Sequence, residues 1–145
     1  MRHFFATTCI LIAGAAAHAD PQDTILADQP FTSTPWANGD YYTVTLTLDA
    51  CLLSKTVTEF DKSDTSEDSM RIDVDLALVD LDRLEVVADA VTLWAVEGTE
   101  VQCTDIVGED CVIAGRPGEQ ISVPPSVSAD DYLDAFRTKI AMCQG

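Results

Sequence analysis

From residue 20 onward the sequence has no histidine: the two histidines of the 145-residue chain are His3 and His18. Histidine is the side chain whose unperturbed pKa lies near neutrality, so Ser-His-Asp and Cys-His nucleophiles would lack their usual base. Zinc and other late transition metals would lose their commonest nitrogen ligand. The missing imidazole therefore argues against most nucleophilic hydrolases and against a histidine metal site, and no cofactor is indicated.

Basic residues are the second scarcity, with 8 Lys and Arg against 25 Asp and Glu. All the acidic residues lie at or after Asp20 and Arg2 precedes it, so residues 20–145 carry a formal charge of 7 − 25 = −18. A field of this sign repels phosphate backbones and anionic lipid surfaces, so we expect no nucleic-acid partner. The acidic residues are spread along the chain, which favours a hydrated surface suited to a salty medium over a dedicated cation-binding tail.

Long hydrophobic runs are also missing. The apolar stretch at residues 4–17 is shorter than the roughly 20 residues that a membrane span needs. It follows Arg2 and ends in Ala17-His18-Ala19, the arrangement of a secretory signal peptide with an A-x-A cleavage site. We therefore expect residues 1–19 to be a cleaved signal peptide, the protein to be exported to a bacterial-type periplasm or the extracellular space, and no membrane span to remain.

The cysteines become even in number once the expected signal peptide is removed, because Cys9 leaves with it. The four that remain are Cys51, Cys103, Cys111 and Cys143. An even number in an exported chain indicates two disulfides, with three possible pairings. The C-x7-C spacing fits neither a zinc knuckle nor a C-x-x-C redox pair, so we expect these cysteines to be structural.

The segment "VQCTDIVGEDCVIAG", residues 101–115, predicts a hairpin whose strands are tied near the turn by Cys103 and Cys111. Cys51 is then left to pair with Cys143. Connectivity does not follow from sequence alone, so the other two pairings stay open. In the chain-entropy model the small ring contributes about 2.5 kcal/mol and the large ring about 4.5 kcal/mol, so the large ring should dominate stability.

The remaining pattern divides the exported chain into two parts. Residues 20–40 are rich in Pro, Asp, Thr and Ser without a period, and are predicted to be a mobile N-terminal arm. Residues 41–145 are predicted to be a single β-rich domain with a C-terminal helix at 129–143. Apolar residues alternate with Thr in residues 42–48, and with Asp and Ala along residues 72–78, which predicts half-buried strands of an antiparallel meander.

The C-terminal helix has the clearest local signals. Ser128 is a good N-cap, and acidic residues lie near the start of the helix with basic residues toward its end. An apolar stripe at helical spacing must pack on the sheet; it consists of Tyr132, Leu133, Phe136, Ile140 and Cys143. Because Cys143 lies on this stripe, its pairing with Cys51 is geometrically sensible.

The elements together predict an α+β, mostly β fold. We expect an antiparallel curved sheet or partial barrel of about seven short strands, closed by one C-terminal amphipathic helix and held by two disulfides. This order resembles the pleckstrin-homology-like superfold over most of residues 20–145, which implies the partial barrel. The basic loops with which such domains bind phosphoinositides are missing here, so that activity is not expected.

Three groups of residues are candidates for a functional site. Trp36, Tyr41 and Tyr42 could line a ligand groove or a partner interface, or could complete the core. Asp73 and Asp75, two apart on one strand, should lie about 7 Å apart on one face, within the range of carboxylate pairs in glycoside hydrolases.

The acidic loop at residues 61–69 is the third candidate. Its carboxylates could collect calcium through oxygen ligands; they are Asp61, Asp64, Glu67 and Asp68. The EF-hand pattern fails, because Ser66 and Ile72 stand where its glycine and glutamate should be.

The sequence thus favours a small exported binding or interaction domain without catalytic activity. Its expected partner is another protein, or a small apolar ligand held between helix and sheet. The alternatives are a carboxylate-dependent hydrolase acting on glycans and a calcium-stabilised accessory protein.

Overall fold

The computed structural model describes residues 21–27, 31–33, 35–105 and 117–145, without the side chains of residues 21, 22, 67 and 102–105. Within these residues the chain forms two α-helices, eight β-strands and two 3₁₀ helices. In chain order they are α1 (Pro21–Leu26), β1 (Phe31–Thr32), β2 (Tyr41–Asp49), β3 (Leu52–Phe60), β4 (Ser66–Asp75), η1 (Leu76–Leu78), η2 (Leu81–Arg83), β5 (Glu85–Val87), β6 (Ala90–Trp94), β7 (Gln102–Asp105), β8 (Gly118–Ser122) and α2 (Ala129–Gln144).

The strands form two antiparallel sheets, and the mostly β prediction with a C-terminal helix is confirmed. The first sheet has the order β1-β2-β3-β4-β7 and the second has the order β5-β6-β8. The expectation of one curved sheet is corrected in one respect: the described strands divide into a five-stranded and a three-stranded sheet, and they close no barrel.

The division has a local cause at the end of β4. The Asp75 side chain accepts a hydrogen bond from the Ala77 amide at 3.0 Å, and the Asp80 side chain accepts one from the Asp82 amide at 3.1 Å. Each carboxylate caps a 3₁₀ helix, so the chain leaves the first sheet before β5 begins. Leu78 was predicted to continue the buried row, but it is 43% exposed, because the first of these helices ends the strand alternation after Leu76.

The first sheet is built around three long strands. In its register Leu46 of β2 pairs with Lys55 of β3, which pairs with Ile72 of β4. The inner face of this sheet is buried, as the alternation in the sequence predicts: Leu46, Leu53, Ile72 and Val74 are 0–4% exposed. The strand alternation and its inward row are therefore confirmed for β2 and for residues 72–74.

Helix α2 begins where its sequence indicates, since the Ser128 hydroxyl accepts a hydrogen bond from the Asp131 amide at 3.1 Å. Tyr132, Phe136 and Ile140 of its apolar stripe are fully buried. The rings of Tyr132 and Phe136 meet edge to face, with 5.1 Å between their centroids. The predicted amphipathic helix thus packs its apolar stripe against α1, the two 3₁₀ helices and the strands β5 and β6 of the second sheet.

The far end of α2 is covalently attached to the first sheet. Cys143 forms a disulfide with Cys51, which lies in the turn between β2 and β3, and the Cα atoms are 5.8 Å apart. The Gln144 side-chain amide also donates to the Val79 carbonyl at 2.7 Å. The predicted Cys51–Cys143 pairing is confirmed, whereas the Cys103–Cys111 pairing lies outside the described side chains.

Part of the segment predicted to be a mobile arm contributes to this interior. Leu26 of α1 is fully buried, and the Asp23 carboxylate forms an ion pair with Lys139 of α2 at 2.8 Å. In β1, Phe31 pairs with Val44 of β2. Helix α1 therefore covers part of α2, and β1 covers the edge of the first sheet.

A second ion pair joins the two sheets. The Lys55 ammonium lies 2.6 Å from the Glu119 carboxylate of β8 and donates to the Gln120 carbonyl at 2.9 Å. The side chains of Lys55 and Glu119 are 16% and 4% exposed. A buried charge is tolerated when it is paired and hydrogen-bonded, so this contact fixes how the sheets face each other. Among the described residues, no helix is long and apolar enough to cross a membrane.

Candidate binding site

The three aromatic candidates lie at the end of the first sheet opposite the disulfide. Tyr41 and Tyr42 begin β2, and Trp36 lies in the loop before it. Because successive side chains of a strand point to opposite faces, Tyr41 and Tyr42 belong to different clusters. The structure therefore brings Trp36 together with Tyr42, and places Tyr41 on the other face.

The first cluster, which we call the aromatic platform, consists of Phe31, Trp36 and Tyr42. The ring centroids of Trp36 and Tyr42 are 6.1 Å apart, and those of Phe31 and Tyr42 are 6.4 Å apart, both in tilted arrangements. These distances are typical of favourable aromatic pairs. Trp36 is nevertheless 49% exposed, so about half of this residue remains open to solvent although its ring contacts Tyr42.

A closed turn holds Trp36 in this position. The Trp36 amide donates to the Asp40 carbonyl at 2.8 Å, and the Gly39 amide donates to the Trp36 carbonyl at 2.9 Å. The Asn38 side chain accepts from the Asp40 amide at 3.1 Å and also bonds to the Asp40 carboxylate. Gly39 has φ +93°, a conformation that glycine adopts without strain.

The platform is also attached to the sheet through the residue that follows β1. The Ser33 amide donates to the Tyr42 carbonyl at 2.9 Å, and the Tyr42 amide donates to the Ser33 hydroxyl at 3.0 Å. Ser33 is 7% exposed. Two reciprocal hydrogen bonds at a buried position fix the backbone of Tyr42, and through it the ring on which Trp36 rests.

A second loop, residues 61–65, packs beside the first one. A Cβ atom added to Gly39 would lie 2.9 Å from the Cβ of Lys62, so the two loops are in close contact there. The Asp61 carboxylate accepts from the Ser63 hydroxyl at 2.7 Å, from the Ser63 amide at 2.8 Å and from the Thr65 amide at 2.9 Å. The Ser63 hydroxyl and the Thr65 amide hold the pKa of Asp61 below its ordinary value.

The second cluster lies on the other face of the same strand end. The rings of Tyr41 and Phe60 are stacked, with 5.2 Å between centroids. The Tyr41 hydroxyl donates to the Asp64 carboxylate at 2.8 Å, and this hydrogen bond raises the pKa of Tyr41. The β3–β4 register shifts between Glu59 and Phe60, a bulge of the kind that redirects side chains at strand ends.

The described acidic candidates of the 61–69 loop each accept hydrogen bonds from different neighbours. Asp61 closes its own loop, Asp64 accepts from Tyr41, and Asp68 accepts from the Ser69 amide at 2.8 Å. The side chain of Glu67 lies outside the described part. Among the described residues, no group of three or more His, Cys, Asp or Glu side chains is placed to hold a metal ion.

The carboxylate pair proposed for a hydrolase has local hydrogen-bonding partners. Asp73 accepts from the Arg71 guanidinium at 2.8 Å and from the Ser54 hydroxyl at 2.5 Å. Asp75 caps the 3₁₀ helix that follows β4. The two carboxylates therefore have separate partners in the fold.

A shallow groove of about 470 Å³ lies elsewhere, along the outer side of α2 where it meets α1 and the segment before α2. Its lining mixes apolar, hydroxyl and acidic side chains: Ile25, Ser126, Val127, Ser128, Asp131, Asp134, Ala135 and Thr138. Two of its carboxylates already accept from close neighbours, Asp131 from Ser128 at 2.6 Å and Asp134 from Arg137 at 2.8 Å.

Sequence reasoning missed two aromatic residues of the site. Phe60 could have been found, because continuing the β2–β3 hairpin from its turn places it opposite Tyr41. Phe31 carried no such signal, since it lies in a segment without a period. Its place is decided by the pairing of β1 with β2.

Comparison of the chain with protein-family models, with curated proteins and with solved structures found no match. The function therefore has to be argued from the site itself. Its geometry offers a rigid, partly exposed aromatic surface with polar groups in the loops around it, which is suited to binding by stacking and surface contact.

Proposed function

We propose that the protein is an exported binding domain without catalytic activity, and that it contacts its ligand through the aromatic platform of Phe31, Trp36 and Tyr42. The observation that carries the proposal is the state of Trp36, whose side chain is half exposed while its backbone turn is closed by hydrogen bonds. A large exposed aromatic residue on a fixed backbone loses little conformational freedom on binding, which favours affinity.

Export to the periplasm or the extracellular space is part of this proposal. It is supported by the signal-peptide pattern of residues 1–19 and by the Cys51–Cys143 disulfide, since disulfides persist mainly in oxidising compartments. The second disulfide, between Cys103 and Cys111, belongs to the same proposal. Its test is a non-reduced digest, in which mass spectrometry should find a peptide cross-linked between these two residues.

The packing of the interior favours a surface site. Tyr132 and Phe136 of α2, and Leu53 and Ile121 of the two sheets, are 0–1% exposed. A small apolar ligand held between helix and sheet would have to displace such side chains. A ligand that stacks on Trp36 displaces no buried side chain, so binding at the platform costs less free energy than binding in the interior.

The test uses the fact that the chain has two tryptophans. Trp94 lies far along the chain, with the Arg83 guanidinium 4.7 Å from its ring and its indole donating to Glu85 at 3.3 Å. In the variant Trp94→Phe, tryptophan fluorescence reports Trp36 alone. In the matched variant Trp36→Phe it reports Trp94 alone.

Both variants, as residues 20–145, are titrated with concentrated culture medium and cell-envelope extract from the source organism, each before and after protease treatment. We expect the emission of Trp36 to shift in Trp94→Phe, and no shift in Trp36→Phe. Equal responses of both variants, or no response of Trp36 to any fraction, would contradict the proposal. The protease treatment separates protein ligands from non-protein ligands.

A further inference from the structure

We infer that the ligand of the aromatic platform is the uncharged ring of a carbohydrate, as found in a neutral polysaccharide. This inference rests on the proposed function and adds the chemical class of the ligand. It depends on three features of the described residues: the half-exposed ring of Trp36, the polar side chains of its own turn, and the sign of the surrounding charge.

The first feature is the ring itself. The open face of an indole is the negative side of its quadrupole, so it attracts the weakly positive C–H groups on the flat side of a pyranose ring. Tyr42 backs Trp36 at 6.1 Å and is backed in turn by Phe31 at 6.4 Å, so three rings act as one support. The exposed part of the Trp36 ring is the surface on which the sugar would stack.

The second feature is the hydrogen-bonding capacity of the turn that carries Trp36. Asn38 and Asp40 lie two and four residues after it, and their side chains are fixed by bonding to each other. A carboxylate and an amide can each accept more than one hydrogen bond. Sugar hydroxyls are donors, so a ring on Trp36 has charge-assisted acceptors within the same turn.

The third feature is the charge around the platform. Asp40 lies in the platform loop, and Asp61 and Asp64 lie in the loop that packs against it, with Lys62 as the basic residue between them. The whole chain carries a net charge of −17. Uronic acids, sulfated sugars and phosphorylated sugars would be repelled by this surface. The inference is therefore limited to neutral rings.

The experiment measures binding of residues 20–145 to defined sugars by isothermal titration and by Trp36 fluorescence in Trp94→Phe. The probes are hexamers of β-1,4-linked glucose, of β-1,4-linked N-acetylglucosamine and of α-1,4-linked glucose, with polygalacturonate as the charged control. We expect at least one neutral hexamer to bind and polygalacturonate to fail. The affinity should fall about tenfold or more in Trp36→Ala and stay unchanged in Trp94→Phe.

Salt provides a second readout. Binding of an uncharged sugar should change less than about twofold between low and high NaCl, because few charges are neutralised. A basic peptide drawn to the acidic surface would instead lose affinity steeply. Decalysine is therefore included as a probe in the same titration.

The outcomes separate the inference from the proposed function. If Trp36 responds to decalysine or to a protease-sensitive fraction and to no neutral sugar, the carbohydrate inference is overturned and the binding-domain proposal stands. If a neutral sugar binds equally well to Trp36→Ala, the platform is not its site and both fail. If Trp36 responds to no probe and to no fraction, both fail as well.

Discussion

The two ends of the β2–β3–β4 hairpins are held by different kinds of interaction. At one end, which we call the base, Cys51 is bonded to Cys143 and its carbonyl accepts from the Leu76 amide at 2.8 Å. At the other end, which we call the tip, turn hydrogen bonds and ring contacts position Trp36 and Tyr41. The same strands run through both ends.

The difference shows how one small sheet can have the contacts that stabilise the fold at one end and the candidate binding surface at the other. The base connects the sheet to α2, whose Tyr132, Phe136 and Ile140 are fully buried, so changes there should affect the folding of the whole domain. The tip exposes its aromatic surface on short closed loops that a rigid scaffold supports. Changes at the tip should therefore alter binding with little effect on stability.

The largest expected effect comes from removing the disulfide at the base. The double variant Cys51→Ser, Cys143→Ser opens a ring with a sequence separation of 92 residues. In the chain-entropy model the free energy of unfolding should fall by about 4.5 kcal/mol, measured by urea denaturation.

The matched control is Cys103→Ser, Cys111→Ser, for which the proposed small ring predicts a loss of about 2.5 kcal/mol. If opening the small ring lowered the free energy of unfolding more than opening the large ring did, the base would not be the main stabilising end of the sheet. Binding at Trp36 should survive in whichever variant remains folded.

A pair of aromatic substitutions compares interior and tip directly. Phe136 is fully buried and Trp36 is 49% exposed. Phe136→Ala leaves a cavity and should lower the free energy of unfolding by about 3–5 kcal/mol. Trp36→Ala removes an aromatic contact with Tyr42 and should cost less than about 1 kcal/mol.

The unfolding of both variants in urea is followed by far-ultraviolet circular dichroism, because this signal does not depend on Trp36. Equal losses in the two variants would show that the tip supports the fold as much as the interior does. A small loss in Trp36→Ala also validates that variant as a reporter of binding.

The smallest effect concerns the pH dependence of the tip. The hydrogen bond to Asp64 raises the pKa of Tyr41 above the ordinary tyrosine value of about 10. A raised pKa means that the protonated tyrosine is favoured in the folded state. The contact is therefore fully present below the ordinary tyrosine pKa and is lost as the pH rises through the raised one.

Tyrosinate absorbance of the wild type minus that of Tyr41→Phe isolates this titration. Asp64→Asn keeps an acceptor but removes the charge, so the pKa of Tyr41 should move back toward its ordinary value. Tyr42→Phe is the control that should leave the Tyr41 titration in place. A Tyr41 titration insensitive to Asp64→Asn would refute the contact.

Local signals explain what could be predicted. The N-cap at Ser128 and the apolar stripe depend only on residues within one helix, and the structure matches both predictions. The alternation along β2 is likewise local. The Cys51–Cys143 pairing was favoured by the helix stripe, which contains Cys143, although the sequence alone left the other two pairings open.

Long-range contacts explain what could not be predicted. The separation of β5 from the first sheet depends on two 3₁₀ helices whose caps, Asp75 and Asp80, look like ordinary strand and turn residues in the sequence. The pairing of Lys55 with Glu119 joins residues 64 positions apart. Neither feature leaves a periodic pattern that a single sequence can reveal.

The candidate site shows the same division. The sequence indicates that Trp36, Tyr41 and Tyr42 are close along the chain, but alternation along β2 separates the two tyrosines onto opposite faces. The partners that complete each cluster, Phe31 and Phe60, come from other strands.

By itself the sequence determined the acidic balance, the absence of histidine after residue 18, the amphipathic C-terminal helix and the half-buried strands, because charge and short-period patterns are properties of the chain alone. Only the tertiary structure decided that the strands divide into two sheets and that Trp36 rests on Tyr42 and Phe31. Those arrangements depend on contacts between distant segments, whose free energies are realised only when the chain has folded.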